Sequence, residues 1–251
     1  MNTPAMIIDF EATDVSKEAE ATQMGWRHVK FVDGVISTDS YHHYGYTDLA
    51  SPTVNCRPDR AISYGAMAVS HITYDDVAGC DNHKEVVPWH LPVGEAYIIG
   101  HNVDYDIQVA ANAGVDVSQY KRICTQALAR RLLPELDSHS LGALTYAINP
   151  DLARQYCRNA HDAGYDVTFT LWLLEHLCEL GGITNMQDLY NASEEARIPT
   201  AFTFGKYYGR KITEVAFENP GYLRWIIEKH DNTYLIEACK NVLASKGASH
   251  G

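Results

Sequence analysis

The stretch Met6-Ile7-Ile8-Asp9-Phe10-Glu11 constrains this chain more than any other. Its apolar start reads as a strand entering a core. Successive side chains of a strand alternate faces, so Ile8 and Phe10 share one side and Asp9 and Glu11 the other. Two neighbouring carboxylates at the end of a buried strand repel each other and resist desolvation. A divalent cation offsets both penalties. Taken alone, the pair is more often a solvated strand end. A metal reading therefore needs further ligands from elsewhere in the chain.

Punctuation along the sequence predicts where those elements fall. Asp33-Gly34 separates the runs Ala21 to Val32 and Val35 to Tyr46, a hairpin signal because both turn positions accept positive φ. The Tyr41-His42-His43-Tyr44-Gly45-Tyr46 cluster reads as an exposed strand end, since adjacent residues point to opposite faces. Ile62 to Val69 has helical spacing, with Ile62, Ala66 and Val69 on one face. A short helix can start at Thr73. Residues 79–94 are polar, contain two prolines, and read as a loop with His83 and His90 at the surface. Ala96 to Gly100 is a strand leading into a helix from Val103 to Ala113 that stops at Gly114. Ile123 to Leu133 repeats the strand-to-helix pattern, Leu141 to Ile148 is amphipathic, and a buried helix runs from Asp166 to Leu180.

Asn102 and Asp106 stand four apart where the first of these strands becomes a helix, on one face near the sheet edge. They are also what a helix start wants for its own sake: an N-cap and a first-turn acid. His161 and Asp166 are five apart, roughly 140° around a helix. They share a site only if His161 lies in the lead-in, with Gly164 permitting a bend. A surface histidine and a helix-start aspartate would look the same.

In this order, Asp9-x-Glu11, Asn102-x3-Asp106 and His161-x4-Asp166 resemble the DEDDh 3′→5′ exonucleases. Arg57-Pro58-Asp59-Arg60, His71-Ile72-Thr73, Ile123-Cys124-Thr125, Phe202-Thr203-Phe204-Gly205-Lys206-Tyr207 and Asn219-Pro220-Gly221-Tyr222 extend the resemblance over most of the chain. It implies a ribonuclease H-like α/β fold, a mixed sheet flanked by helices, with a small C-terminal α+β unit. Composition shifts mark a polar linker over 183–201, a compact small domain over 202–246 and a frayed tail over 247–251, which leaves 1–182 for the exonuclease domain that the resemblance implies. Asp9, Glu11, Asp106 and Asp166 are then ligands of two Mg²⁺ ions, with Mn²⁺ able to substitute, and His161 is the general base. The reaction implied is release of nucleoside 5′-monophosphates from the 3′ end of DNA, single strands preferred. RNA as substrate, or a non-catalytic nucleic-acid-binding protein, are the alternatives. The backbone at Phe10 and Ala12 is expected to face the terminal sugar, and Asn102, Met67 and His71 the terminal nucleotide. Packing explains Met67 and His71 equally well. The chain departs from the family at Ala12-Thr13-Asp14, where relatives carry Thr-Thr-Gly or Thr-x-Gly, and at Gln23, where they often carry Glu. Asp39 to Ser51 reads as added length.

A net charge of −12 is unusual for a protein that handles polyanions. Its distribution matters more than its size. From Thr200 onward seven Lys and Arg face five Asp and Glu, a balance of +2, so the remainder, 13 against 27, holds −14. Lys206, Arg210 and Lys211, set among Tyr207, Tyr208, Tyr222 and Trp225, suit a single strand whose bases stack on rings. Tyr222 and Trp225 also serve as the core of a small domain, the expectation adopted for Trp225. Six scattered cysteines without a Cys-x-x-Cys pair argue against structural zinc and for a reducing, cytoplasmic setting. No signal peptide or membrane span is expected.

Overall fold

The structure is a computed structural model that describes residues 3–38 and 50–248. The strands are β1 (Ala5–Ala12), β2 (Ala21–Val32), β3 (Val35–Thr38), β4 (Thr53–Asn55), β5 (Ala96–Gly100) and β6 (Tyr120–Cys124). The helices are α1 (Tyr64–Ser70), α2 (Tyr74–Val77), α3 (His83–His90), α4 (Val103–Asn112), α5 (Thr125–Leu132) and α6 (Leu141–Ile148). They continue with α7 (Pro150–Tyr156), α8 (Ala163–Gly181), α9 (Met186–Arg197), α10 (Ile212–Glu218), α11 (Pro220–Lys229) and α12 (Thr233–Ala248). The chain divides into two compact units, residues 1–193 and 194–251.

In the first unit the strand order is β3-β2-β1-β5-β6, with β4 also on β2. β1 runs antiparallel to β2 and parallel to β5, which is parallel to β6. β1 is central because Met6, Ile7 and Ile8 together need apolar cover on both faces, and all three are buried. Met6, Ile8 and Phe10 join Val87, Val103 and Ile107 from α3 and α4 in one core. α8 packs along β1 and β2, on the face that Ile7, Asp9 and Glu11 share. The hairpin turn is as expected, with Asp33 at φ 52° and Gly34 at φ 80°. The continuation of Val35–Tyr46 beyond Thr38, the Tyr41–Tyr46 cluster and most of the added length lie outside the described residues.

Two glycines bring α8 close to the sheet. A Cβ on Gly25 would stand 2.4 Å from the Ala163 carbonyl oxygen, and one on Gly164 would stand 2.6 Å from that of Ser51. Ser51 N–H donates to the Gly164 carbonyl. The role expected of Gly164 is thereby corrected. The chain bends earlier, at His161 (φ 68°), and Gly164 is inside the helix for closeness, not flexibility.

Residues 79–94 are not a plain loop. Asn82 caps α3 by accepting from Lys84 N–H, and Val86 and Val87 bury its inner face. His83 is fully buried, facing Glu20 at 3.6 Å, and the His90 ring packs 4.4 Å from that of Trp26. Neither is the surface residue expected. Nor is 183–201 a plain connector: it contains α9, whose polar exterior hides a buried Leu189 and Ser193. The Ser193 hydroxyl accepts from Cys124 N–H at 2.8 Å, which ties the start of α9 to the first unit.

The second unit is nearly all helical. The β part of the expected α+β unit is reduced, among the described residues, to one bridge, Ala201 with Lys211. The Tyr207 ring turns into the core with Phe202, so Gly205–Tyr207 coils as a 3-10 turn. α12 runs to Ala248, into the stretch expected to fray, and 249–251 lie outside the described residues. Among the described residues no helix is long and apolar enough to cross a membrane.

Candidate active site

The end of β1, the start of α4 and the lead-in to α8 converge on a cleft of about 580 Å³. Asp9, Glu11, Asn102, His161 and Asp166 line it, with Phe10 and Ala12 between the acids. Asp106, buried in the first turn of α4, is joined to the same strand end: Phe10 N–H donates to its Oδ1 at 3.1 Å. β1 pairs with β5 only from Ala5 to Ile7, so Asp106 caps the strand where the parallel ladder stops. That contact commits the Phe10 N–H, which is therefore not free for a sugar.

Asp162 caps α8 by accepting from Gly164 and Tyr165 N–H. Asp166 sits in the first turn, and its Oδ2 accepts from His161 N–H at 3.2 Å. His161 is thus in the lead-in, exposed, with left-handed backbone. Ligand-capable atoms of Glu11, His161 and Asp166 all lie within 4.8 Å of one another. Asn102 takes the N-cap position with φ 70° but makes no side-chain cap bond, which leaves its amide facing the cleft.

The crowding has an electrostatic signature. Burial, then the charges of Asp166, Asp106 and Glu11, hold the Asp9 carboxyl well above the usual range. Burial, with Asp166 and Asp106 adding, pushes Glu11 up to about 8. Burial pushes Asp166 up to about 7 despite the opposing N–H bond from His161, and burial likewise raises Asp106 against the N–H bond from Phe10. Among the described residues that line the cleft there is no Lys, Arg or Cys. An all-oxygen acidic set with one imidazole and no countercharge fits a hard divalent cation.

These shifts carry a testable sign. A carboxyl raised in the folded protein holds a proton there that it has lost in the unfolded chain, so metal-free stability contributed by this cluster falls as pH rises from the ordinary carboxylate range through about 7 to 8. Bound cation removes that penalty and requires the deprotonated ligands. The rise in Tm on replacing EDTA by Mg²⁺ is therefore expected to be larger at about pH 8 than at about pH 5.5. A gain that shrinks with pH would contradict the cluster's assignment as ligands.

Other expected site residues fall elsewhere. Met67 packs with Ile62, Ile72 and Val77, and His71 is the exposed left-handed C-cap of α1. Neither lines the cleft. Ser63, Gly65, Ala66 and Val69 form that wall instead, opposite Asp14, Val15 and Tyr105. Arg210 is held by Glu218 through two 2.7 Å bonds, so it is not a free cation. Lys211 is the exposed N-cap residue of α10, and Lys206 Nζ lies 5.1 Å over the Tyr207 ring. Trp225 is half exposed, not core, because Leu223 and Ile226 already take the inner face of α11. Gln23 braces the site from β2: its Oε1 accepts from Ala163 N–H at 2.8 Å and its Nε2 donates to Asn55 at 3.0 Å. A larger hollow of about 860 Å³, walled by Ile36, Ile148 and Trp172, is also lined by Glu175, His176 and Glu179, but among the described residues their ligand atoms do not gather at one point.

A mixed sheet bearing this cleft at the end of its central strand is the ribonuclease H-like fold of the exonucleases. Solved structures agree. Exonuclease X in complex with 5′ overhanging duplex DNA matches with a TM-score of 0.53 and 27% identity, over 74% of this chain and 99% of that one. E. coli exonuclease I in complex with a dA16 oligonucleotide matches with a TM-score of 0.55 and 18% identity, over 79% and 44%, a likeness of fold alone. The family model described as exodeoxyribonuclease X-like C-terminal matches residues 202–235. Exodeoxyribonuclease 10 of Escherichia coli (strain K12) is 34% identical over 176 residues, 70% of this chain and 76% of that protein. The chain belongs to the exodeoxyribonuclease X family of DEDDh exonucleases.

Proposed function

We propose that this protein is a metal-dependent 3′→5′ exodeoxyribonuclease that releases nucleoside 5′-monophosphates from DNA, with single-stranded 3′ ends preferred. The observation carrying this reading is the convergence of Asp9, Glu11, Asp166 and His161 on one cleft, with Asp106 joined to the same strand end behind it, and no Lys or Arg among the described residues of the lining. Divalent-metal dependence goes with the family; two Mg²⁺ ions held by the four carboxylates, with Mn²⁺ as substitute, is the reading for this chain. When bound, such ions supply Lewis-acid polarisation of the phosphodiester and neutralise charge that builds on it.

The residues of the chain do the rest. The four carboxylates, forced together by β1, α4 and α8, select hard cations and place them at one strand end. His161, exposed at the cleft mouth, is positioned to take the proton of the attacking water. Its N–H bond to Asp166 fixes the direction of that side chain. Ala12 and Asn102 line the space next to the acids and are assigned to the terminal nucleotide. Ala66 and Val69 join them, because an apolar wall suits a base or sugar face. Six free cysteines support the cytoplasmic setting.

Digestion of 3′-labelled and 5′-labelled DNA and RNA oligonucleotides tests the reading. Mg²⁺-dependent loss from the 3′ end, faster on DNA, is expected. Activity that persists in EDTA, or equal loss from 5′ ends, would overturn it. Preferential digestion of RNA would keep the chemistry and change the substrate.

A further inference from the structure

The second unit carries a ladder of rings that the cleft does not use. Trp225, 51% exposed, stacks on Tyr222 with centroids 5.7 Å apart and planes at 24°. Tyr222 is itself braced edge-on by Tyr207 at 4.9 Å and Phe202 at 5.4 Å. The indole is therefore held from behind and left open in front. Gly205, at φ 68°, lets the chain pass so near that an added Cβ would stand 3.3 Å from the Tyr222 hydroxyl. That turn presents Phe204, 37% exposed and stacked on His230 at 4.9 Å. Cations are interleaved: Lys206 over Tyr207, and Lys229 one helical turn beyond Trp225. Neither forms an ion pair among the described residues.

Pre-braced rings alternating with cations match a single strand better than a protein partner. Every base offers a π-face, and each phosphate wants a nearby positive charge. Charge partition points the same way. Residues before Thr200 carry −14 and need bound cations to receive a polyanion, whereas those from Thr200 carry +2. We propose that Trp225, Tyr222, Phe204, Lys206 and Lys229 form a sequence-independent platform for single-stranded DNA, separate from the catalytic cleft. This rests on DNA being the substrate of the cleft. Its role is retention: a strand held on a linked module meets the cleft at a raised effective concentration.

The test measures binding and cleavage apart, on the full chain. Fluorescence anisotropy in EDTA reports affinity for oligo-dT of roughly 30 nucleotides, with a blunt duplex in parallel. Trp225→Leu is expected to weaken oligo-dT binding about 5- to 20-fold, while Trp225→Phe, which keeps a ring, retains most of it. Lys206→Gln is expected to flatten the salt dependence by about one counterion. With Mg²⁺, Trp225→Leu is expected to raise KM on the long strand and leave kcat within about twofold. Wild-type affinity in Trp225→Leu, or an equal loss on blunt duplex, would overturn the platform. If Trp225→Leu melts early, the Phe204→Leu, Lys206→Gln double variant decides by the same criteria. Failure of the exonuclease reading is distinguishable, because it removes 3′ digestion by the wild type and leaves EDTA binding readable.

Discussion

Asp166→Asn is expected to reduce kcat by on the order of 10³-fold while leaving DNA affinity unchanged or slightly tighter. The substitution keeps the size of the side chain and its acceptor for His161 N–H. It removes one of the four carboxylates proposed as cation ligands. Losing several kcal/mol of charge stabilisation at the reacting phosphate corresponds to about that factor. Binding survives because no contact to DNA is deleted and one negative charge is. A second readout separates ligand loss from misfolding. Since burial already pushes Asp166 up to about 7, the amide is expected to raise the Tm of metal-free protein near neutral pH and to blunt the gain on adding Mg²⁺. Near-wild-type turnover, or an undiminished Mg²⁺ gain, would remove Asp166 from the ligand set.

His161→Ala is expected to lose on the order of 10²–10⁴-fold in kcat, the usual contribution of a positioned general base. The carboxylate cluster stays intact, so the Mg²⁺-dependent rise in Tm is expected to persist. Because His161 is exposed at the cleft mouth, added imidazole is expected to restore part of the lost rate. Wild-type rates across about pH 6 to 9 would show that another group takes the proton. Both outcomes depend on one backbone feature. His161 has a left-handed conformation uncommon for a residue with a Cβ, and that turn lets it meet Asp166 across five positions.

The acids and the histidine were legible because each is declared by local spacing: an alternating strand, a helix start, a helix lead-in. What surrounds them was not. Ala66 and Val69 have the same apolar spacing whether α1 lies on a core or walls a cleft, so their place in the cleft lining could not be read from it. The burial of His83 depends on Glu20, sixty-three positions away in sequence. Arg210 looked available because Glu218 reaches it only across the turn into α10. α9 was hidden by composition: two buried side chains suffice to seat a helix whose remaining surface is polar. Trp225 was misplaced because size suggested core, whereas Leu223 and Ile226 already fill that side of α11.

The close approach at Gly25 and Gly164 has a consequence for tolerance to change. Gly25 stands opposite Asp9 on the neighbouring strand β2, and there main chain rests on the main chain of the Asp166 helix. Peptide atoms are the same in every sequence, so this spacer cannot drift as long as the two glycines persist. Side chains elsewhere along α8 and β2 can then be exchanged, and the hairpin beyond them lengthened, without retuning the separation of the acids. The spacing is gauged there by van der Waals radii, so a single methyl at either glycine is enough to force the two backbones apart.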